Sequence, residues 1–527
     1  MKKKKTKLFS AALAVLLAAA VTGCSGGNEP AAGAGSGAAS GSGSGAKKDE
    51  LVVAIPSDPG GTWDPIDTFT VPWATVASNI FDGLVERGED LKLEPGLAES
   101  WTYKDPKTLE FKLRQGVTFQ DGEPFNAEAV KFTFDRLLGP DGEKSPQRSN
   151  YDSIDKVEVV DDHTVVFKLK AVDPVLITKL AGYGAMIVPP KYYKEVGDEQ
   201  FNVKPIGTGP FKVTDYVKDD HVTLEAYPEY WGGAPKLKKI TYRYIPEATT
   251  RIAELQTGAV DIASSIPPSQ ASTIESDPNL TIQKAGSPTV SLIRFDVSQK
   301  PLDNVKVRQA INYAINKQEI IDTILNGFAK PISSLQGDIS FGNNPDLKPY
   351  PFDVDKAKQL LQEAGVQPGT KLTFSIDGSD AVFKEVAQAV ATYLSDVGLT
   401  VEIKPQDTQT MYNDLIPKAA AGSMYQFGWG GWTLDFDNTA YLLYKKGQFW
   451  NPSYSNPEVD KLLDAERSSV VQDDRKKIFF QLTQLLKDEA VDVPLYQTMT
   501  VWGVNKKVAG FVTPPDERLR LKDVSFQ

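Results

Sequence analysis

Between Leu51 and about Tyr244 the apolar positions alternate. Leu109, Phe111 and Leu113 occupy every second place before a turn at Gly116; Val157 and Val159 do so up to Asp161-Asp162, and Val165, Phe167 and Leu169 alternate back. A period of two puts successive side chains on opposite faces, so these runs predict a strand and then a hairpin. A second hairpin is predicted from Val213 to Tyr227 around Asp219-Asp220. Among these strands, Asn126 opens one short helix whose buried face is Val130, Phe134, Leu137 and Leu138.

After about residue 290 the period changes to 3.6. Asp303 precedes a helix with Val307, Ala310, Ile311, Ala314, Ile315, Ile321 and Ile324 on one face, and Asp353 caps another carrying Ala357, Leu360, Leu361 and Ala364 until Gly365 ends it. A strand (Leu372, Phe374, Ile376), a helix (Val386, Val390, Leu394, Val397, stopped by Gly398) and a strand (Leu399, Val401, Ile403) follow, which is a βαβ unit with parallel sheet. Two late helices open at Asn456-Pro457 and carry Ile478, Leu482, Leu485 and Leu486 respectively. The chain therefore divides into a strand-rich half and an α/β half.

The extreme N-terminus has a different pattern. MKKKKTK is followed by a 13-residue, largely apolar stretch, Leu8 to Ala20, shorter than the roughly 18–20 residues that span a bilayer, which predicts a secretory leader. It ends in Val21-Thr22-Gly23-Cys24, which resembles a bacterial lipobox with lipid on Cys24, the only cysteine in the chain. A single cysteine leaves the folded part without an internal disulfide, a cysteine zinc site or a papain-like nucleophile. Residues 25 to 48 form a Gly/Ala/Ser linker with a root-mean-square reach of roughly 25–30 Å. Removing a leader with five lysines leaves 53 basic and 69 acidic side chains, about −16. Such a surface argues against nucleic acid and against adsorption on anionic lipid.

Catalytic constellations are missing. Of two histidines, His163 and His221 both stand at predicted turn edges beside aspartates, and no His-Glu-x-x-His, Walker loop or nucleophile elbow occurs. A carboxylate-only hydrolase needs just two acids and stays open as a competing class. Residues 427 to 438, FGWGGWTLDFDN, raise a different possibility by placing Trp429 and Trp432 beside Asp435 and Asp437. A carboxylate among aromatic rings needs a partner, and a ligand cation is one candidate.

Ordered motifs from about Leu51 to Gln527 carry a resemblance: IFDGL at 80–84, PGLAESW at 95–101, GVTFQDG at 116–122, PIGTGPF at 205–211, DNVKVRQAINYAI at 303–315, YSNPEVDKLL at 454–463 and VPLY at 493–496. The chain resembles the family 5 extracellular solute-binding proteins, the dipeptide- and oligopeptide-binding lipoproteins of bacterial ABC importers. The resemblance implies a mixed α/β, two-lobed periplasmic-binding-protein-like fold with an extra strand-rich domain and a ligand cleft between the lobes. It implies a signal peptide at 1–23, a lipidated Cys24 and linker at 24–48, and a first lobe from 49–86, 205–285 and 495–527. An accessory domain at 87–204 and a second lobe at 286–494 complete the division.

The same resemblance assigns Gly431-Trp432-Thr433-Leu434-Asp435 to the family's Gly-Trp-x-x-Asp motif, in which the aspartate meets a peptide's α-ammonium group. Asp435 then meets the ligand's cation, Trp432 packs beside the ligand and offers backbone groups, Gly431 and Thr433 count among the ligand-binding residues, and Gly207-Thr208-Gly209 turns its backbone to the cleft. Asp437 is read as a turn residue and Trp429 as core. The ligand's far end calls for a cation, with Arg294, Arg251 and nearby lysines as candidates. Peptide-binding members usually continue into Asp-Pro or Glu-Pro, whereas this chain has Phe436-Asp437-Asn438, and Asp296 stands where asparagine is common. The implied partners are a short peptide and an ABC permease, with a monomeric protein held by lipid on the extracytoplasmic face of the membrane and no cofactor or metal. The runner-up keeps the fold and changes the ligand to a sugar, an opine-like compound or a metal complex.

Overall fold

A computed structural model of the chain describes residues 48–527. The leader, Cys24 and nearly all of the linker lie outside the described residues. Both predicted hairpins form: Ile154–Asp161 pairs antiparallel with Thr164–Leu169, and Phe211–Val217 with His221–Ala226. The first belongs to a four-stranded sheet that also holds Ala98–Asp105 and Thr108–Leu113. Against it packs the helix Ala127–Leu138, whose Asn126 side chain accepts the Ala129 N–H. Val130, Phe134 and Leu137 of that helix are fully buried, each stabilising the accessory core by roughly 1.5–3 kcal/mol.

Two long strands organise the rest. Leu280–Phe295 and Asp492–Asn505 pair antiparallel along most of their length. At one end the second of them continues through Ile262–Ala263 to Glu50–Ile55, which is parallel to Lys239–Tyr244. At the other end Leu280–Phe295 pairs with Met424–Gly430, then Thr370–Asp377 and the parallel Leu399–Gln406. The predicted βαβ unit is this last pair with the helix Ala381–Asp396 between its strands. Separate apolar cores sit on either side of the long strands: Trp63, Trp73 and Phe81 anchor one, and Ile311, Phe374 and Val390 another. The long strands thus tie two α/β bodies together, and their register slips between Gly286 and Val290, where a bulge bends the connection.

The first α/β body also carries both described chain ends. Lys48 Nζ reaches the two carboxylate oxygens of Asp261 at 2.6 and 2.8 Å, and Asp261 in turn accepts the Val52 N–H. Ser525–Phe526 pairs with Val508–Ala509.

Two local readings change. The helix predicted from Asp303 through Ile324 is two helices, Val305–Ala314 and Lys317–Thr323, because Ile315 takes an extended backbone and Asn316 caps a new start by accepting the Glu319 N–H. Asn304, not Asp303, caps the first of them. The second change is the helix Phe436–Tyr444, hidden in the aromatic-acidic stretch and capped by Asp435.

Candidate functional site

The strand Met424–Gly430 emerges from the second body with Gly430 opposite Thr289 of the long strand. The chain then turns through Gly431–Leu434, closed by the Leu434 N–H on the Gly431 carbonyl at 2.9 Å. Leu434 takes a left-handed backbone with φ 54°, a conformation that costs a branched residue energy and persists only where its surroundings hold it. Thr433 helps to hold it, since its hydroxyl accepts the Asp435 N–H at 3.2 Å. Asp435 then caps the following helix by accepting the Asp437 N–H at 3.0 Å.

Both Asp435 oxygens are taken by one guanidinium. Arg475 donates from Nη1 and Nη2 at 2.8 Å each, and also binds Glu466 through Nε and Nη2 at 3.1 and 3.0 Å. Asp437, far from being a turn residue, sits in the first turn of the helix and is gripped by Arg467 at 2.5 and 2.9 Å. Burial pushes the Asp435 carboxyl up, and Arg475 opposes that shift. Burial and then the Asp437 carboxyl push Glu466 up to about 10, so Glu466 is the acid that keeps its proton at neutral pH. Two carboxylates, two guanidiniums and one neutral acid balance. The partner that the sequence left to a ligand is supplied by Arg475 from the helix Gln472–Glu489.

Trp432 behaves differently. It is half-buried and stands edge-on to Phe69 at 5.2 Å between centroids, with Tyr183 beyond Phe69 at 5.5 Å. Its ring lies on Gly182, where a Cβ would come within 2.6 Å of Cζ3, so only glycine allows this approach. Arg87 donates to the Thr433 carbonyl from the opposite side. The Gly431–Leu434 turn is therefore held by the aromatic contact of Trp432 with Phe69 and Gly182 and by the guanidinium of Arg87. Neither Phe69 nor Arg87 carries a motif, and nothing in the sequence pattern singles them out.

Beside Gly430 a cavity of about 230 Å³ opens at the bulge of the long strands, lined by Ser265, Ser287, Thr289, Thr498, Thr500 and Glu517 among others. Its hydroxyls are partly organised: Ser287 and Thr498 meet at 2.6 Å and Thr498 donates to the Thr289 carbonyl at 3.1 Å.

Other expected residues are occupied elsewhere. Gly207-Thr208-Gly209 does not turn its backbone to a cleft. The Gly207 N–H and carbonyl pair with Gln120, Gly209 pairs with the Ile80 carbonyl and Gln120, and Thr208 donates to Asp82 at 2.9 Å. A Cβ on Gly207 would lie 2.1 Å from the Ile80 oxygen; close packing, not ligand access, requires the glycine. Arg251 and Arg294 are buried and hold backbone. Arg251 donates to the carbonyls of Ile245, Pro246, Ser264 and Ser265. Arg294 donates to Leu443 and faces Asp492 at 3.8 Å.

Residues 92–451 match the family described as bacterial extracellular solute-binding proteins, family 5 Middle. The chain belongs to this family. It is similar to the glutathione-binding protein GsiB of Escherichia coli O1:K1 / APEC, 31% identical over 493 residues that cover 91% of this chain and 94% of GsiB. The crystal structure of the ABC transporter substrate-binding protein CtaP from Listeria monocytogenes is similar with a TM-score of 0.82 and 27% identity, covering 91% of this chain and all of CtaP. The periplasmic binding protein DppA from Helicobacter pylori, in complex with the peptide STSA, is similar with a TM-score of 0.71 and 26% identity over 91% of this chain and 98% of DppA. The mixed α/β, two-lobed fold is the one these proteins share, and this family 5 chain is a solute-binding protein of an ABC importer. The family and these neighbours are binding proteins rather than enzymes. Among the described residues no helix is long and apolar enough to cross a membrane.

Proposed function

We propose that the protein captures a short peptide with a free amine between its two lobes and delivers it to a membrane permease, without chemical change to the ligand. The observation that carries this reading is the end-to-end similarity to the glutathione-binding protein GsiB, supported by DppA with its bound peptide. The lobes are 49–86, 205–285 and 495–527 on one side and 286–494 on the other, with 87–204 as the accessory domain. The ligand bridges them and stabilises their closed arrangement, which the permease recognises. Trp432 is the wall residue of the second lobe. Asp435, with Gly431 and Thr433, keeps the loop in shape through Arg475 instead of meeting the ligand directly. The hinge cavity, at about 230 Å³, falls below the roughly 300–1,000 Å³ of a whole-ligand pocket and therefore holds one end of the peptide. Lipid on Cys24 keeps this monomeric receptor at the extracytoplasmic face of the membrane.

Titration calorimetry of the protein without its leader, with glutathione and with trialanine, tests the reading. Saturable binding of at least one, and recovery of the intact peptide after long incubation, are the expected results. Binding of neither, with a sugar, an opine-like compound or a metal complex found by mass spectrometry in the purified protein, would replace the peptide. Loss of membrane association in Cys24→Ser cells checks the anchor.

A further inference from the structure

Glu517 lines the cavity at the bulge of the long strands, as do Ser287, Thr289 and Thr498, and has no counter-charge among the described residues. Its backbone is fixed, since its N–H donates to the Pro514 carbonyl at 3.1 Å and its own carbonyl accepts from Thr75 at 2.9 Å. Its carboxylate has no hydrogen-bond or ion-pair partner among the described residues. The two arginines that follow it are directed elsewhere: Arg518 Nε binds Asp516 at 2.8 Å and its Nη1 the Ala181 carbonyl at 2.7 Å, while Arg520 reaches Asp516 at 3.5 Å. Burial and then the neighbouring Asp516 carboxylate push the Glu517 carboxyl up. Bringing a cation to it would relieve both effects.

The backbone points the same way. Glu517 is left-handed at φ 58°, and Ser265, across the same cavity, at φ 52°. Arg251 holds Ser265 in that turn through its carbonyl at 2.9 Å. Two non-glycine residues in this region around one cavity, next to a strand bulge, mark a place where surrounding structure sustains strain, as it does at ligand clamps.

We infer that Glu517 and the hydroxyls of Ser265, Thr289 and Thr498 form the subsite that receives the ligand's primary ammonium group. An ammonium has three donors and no acceptor, which suits one carboxylate flanked by hydroxyl oxygens. A neutral ligand end would leave the carboxylate uncompensated. This inference rests on the peptide reading above and moves the amine from Asp435, whose oxygens Arg475 already fills, to the hinge.

Calorimetry on the parent protein and on Glu517→Gln, with glutathione, trialanine and the N-acetylated form of each, tests it. The parent is expected to prefer the free amine by about tenfold or more, and Glu517→Gln to lose that preference while binding the acetylated forms as the parent does. Glu517→Gly, which suits a left-handed backbone, is expected to raise the melting temperature while weakening free-amine binding to the same degree. Equal binding of free and acetylated peptide by the parent, or parent-like preference in either variant, overturns the subsite and leaves the peptide reading intact. Binding of none of the four peptides by the parent overturns both.

Discussion

Asp435 is a buried carboxylate and Glu517 a partly buried one, and they differ in what faces them. Asp435 is enclosed in a set of five charged or acidic groups that Arg475 and Arg467 balance from within. Glu517 lines a cavity with several hydroxyls and, among the described residues, no lysine or arginine. A buried carboxylate with a two-pronged guanidinium is a finished piece of architecture, whereas a partly buried one without an ion-pair partner can still take up a positive group. Burial alone does not identify a binding residue; the unoccupied side of the charge does.

The sharpest way to break this contrast is Asp435→Ala. It leaves Arg475 buried beside a neutral Glu466, so urea unfolding is expected to show about 3–5 kcal/mol less stability. Peptide affinity per folded molecule should change little, and unchanged stability with collapsed affinity would return Asp435 to the ligand. Gly207→Ala forces a Cβ against the Ile80 carbonyl and should destabilise by about 1–3 kcal/mol, again with affinity retained in calorimetry. Trp432→Ala should do the reverse, weakening peptide binding by roughly tenfold, about 1.4 kcal/mol, with a smaller effect on the melting temperature.

The most gradual effect, spread over several pH units, is a pH slope. Glu466 is held up to about 10 when folded and returns to about 4.3 when unfolded. The folded state then binds the extra proton, so this group's stabilisation is full below the unfolded value and falls as pH rises towards about 10. Glu466→Gln keeps the neutral shape and removes the titration. The stability of the parent relative to this variant should decline by up to about 1.4 kcal/mol per pH unit above pH 5, followed by urea melts at pH 6, 7.5 and 9. Parallel lines for the two proteins would show that Glu466 is ionised and that the charge cluster is not balanced as described.

Much of the fold was legible because periodicity is a local property. Leu109, Phe111 and Leu113, and the βαβ unit around Val386 to Leu394, each declare their face within ten to twenty residues. The helix Phe436–Tyr444 was not, since Asp437 and three nearby glycines read as turn chemistry, while the apolar face of Ala440 and Leu443 came too late to override them. The site was legible only as a motif. Trp432 stands out on the page, but the partner of Asp435 lies forty residues later on another helix, and Arg475 looks like any surface arginine in a charged run. Glu517 carries no motif. What distinguishes it is the absence, among the described residues, of an ion-pair partner, together with a backbone angle, two properties that exist only once the chain is folded.

Lys48 and the terminal strand Ser525–Phe526 both fasten to the first lobe. A surface, a bead or a dye attached at either described end therefore grips the same jaw. The two long strands join the second body to the first, so a fluorophore pair tests the proposed closure only when one label is carried by the second body, for example on a surface position of the helix Val354–Glu363. Immobilisation through either end leaves the second body unattached, which suits single-molecule tests of that closure.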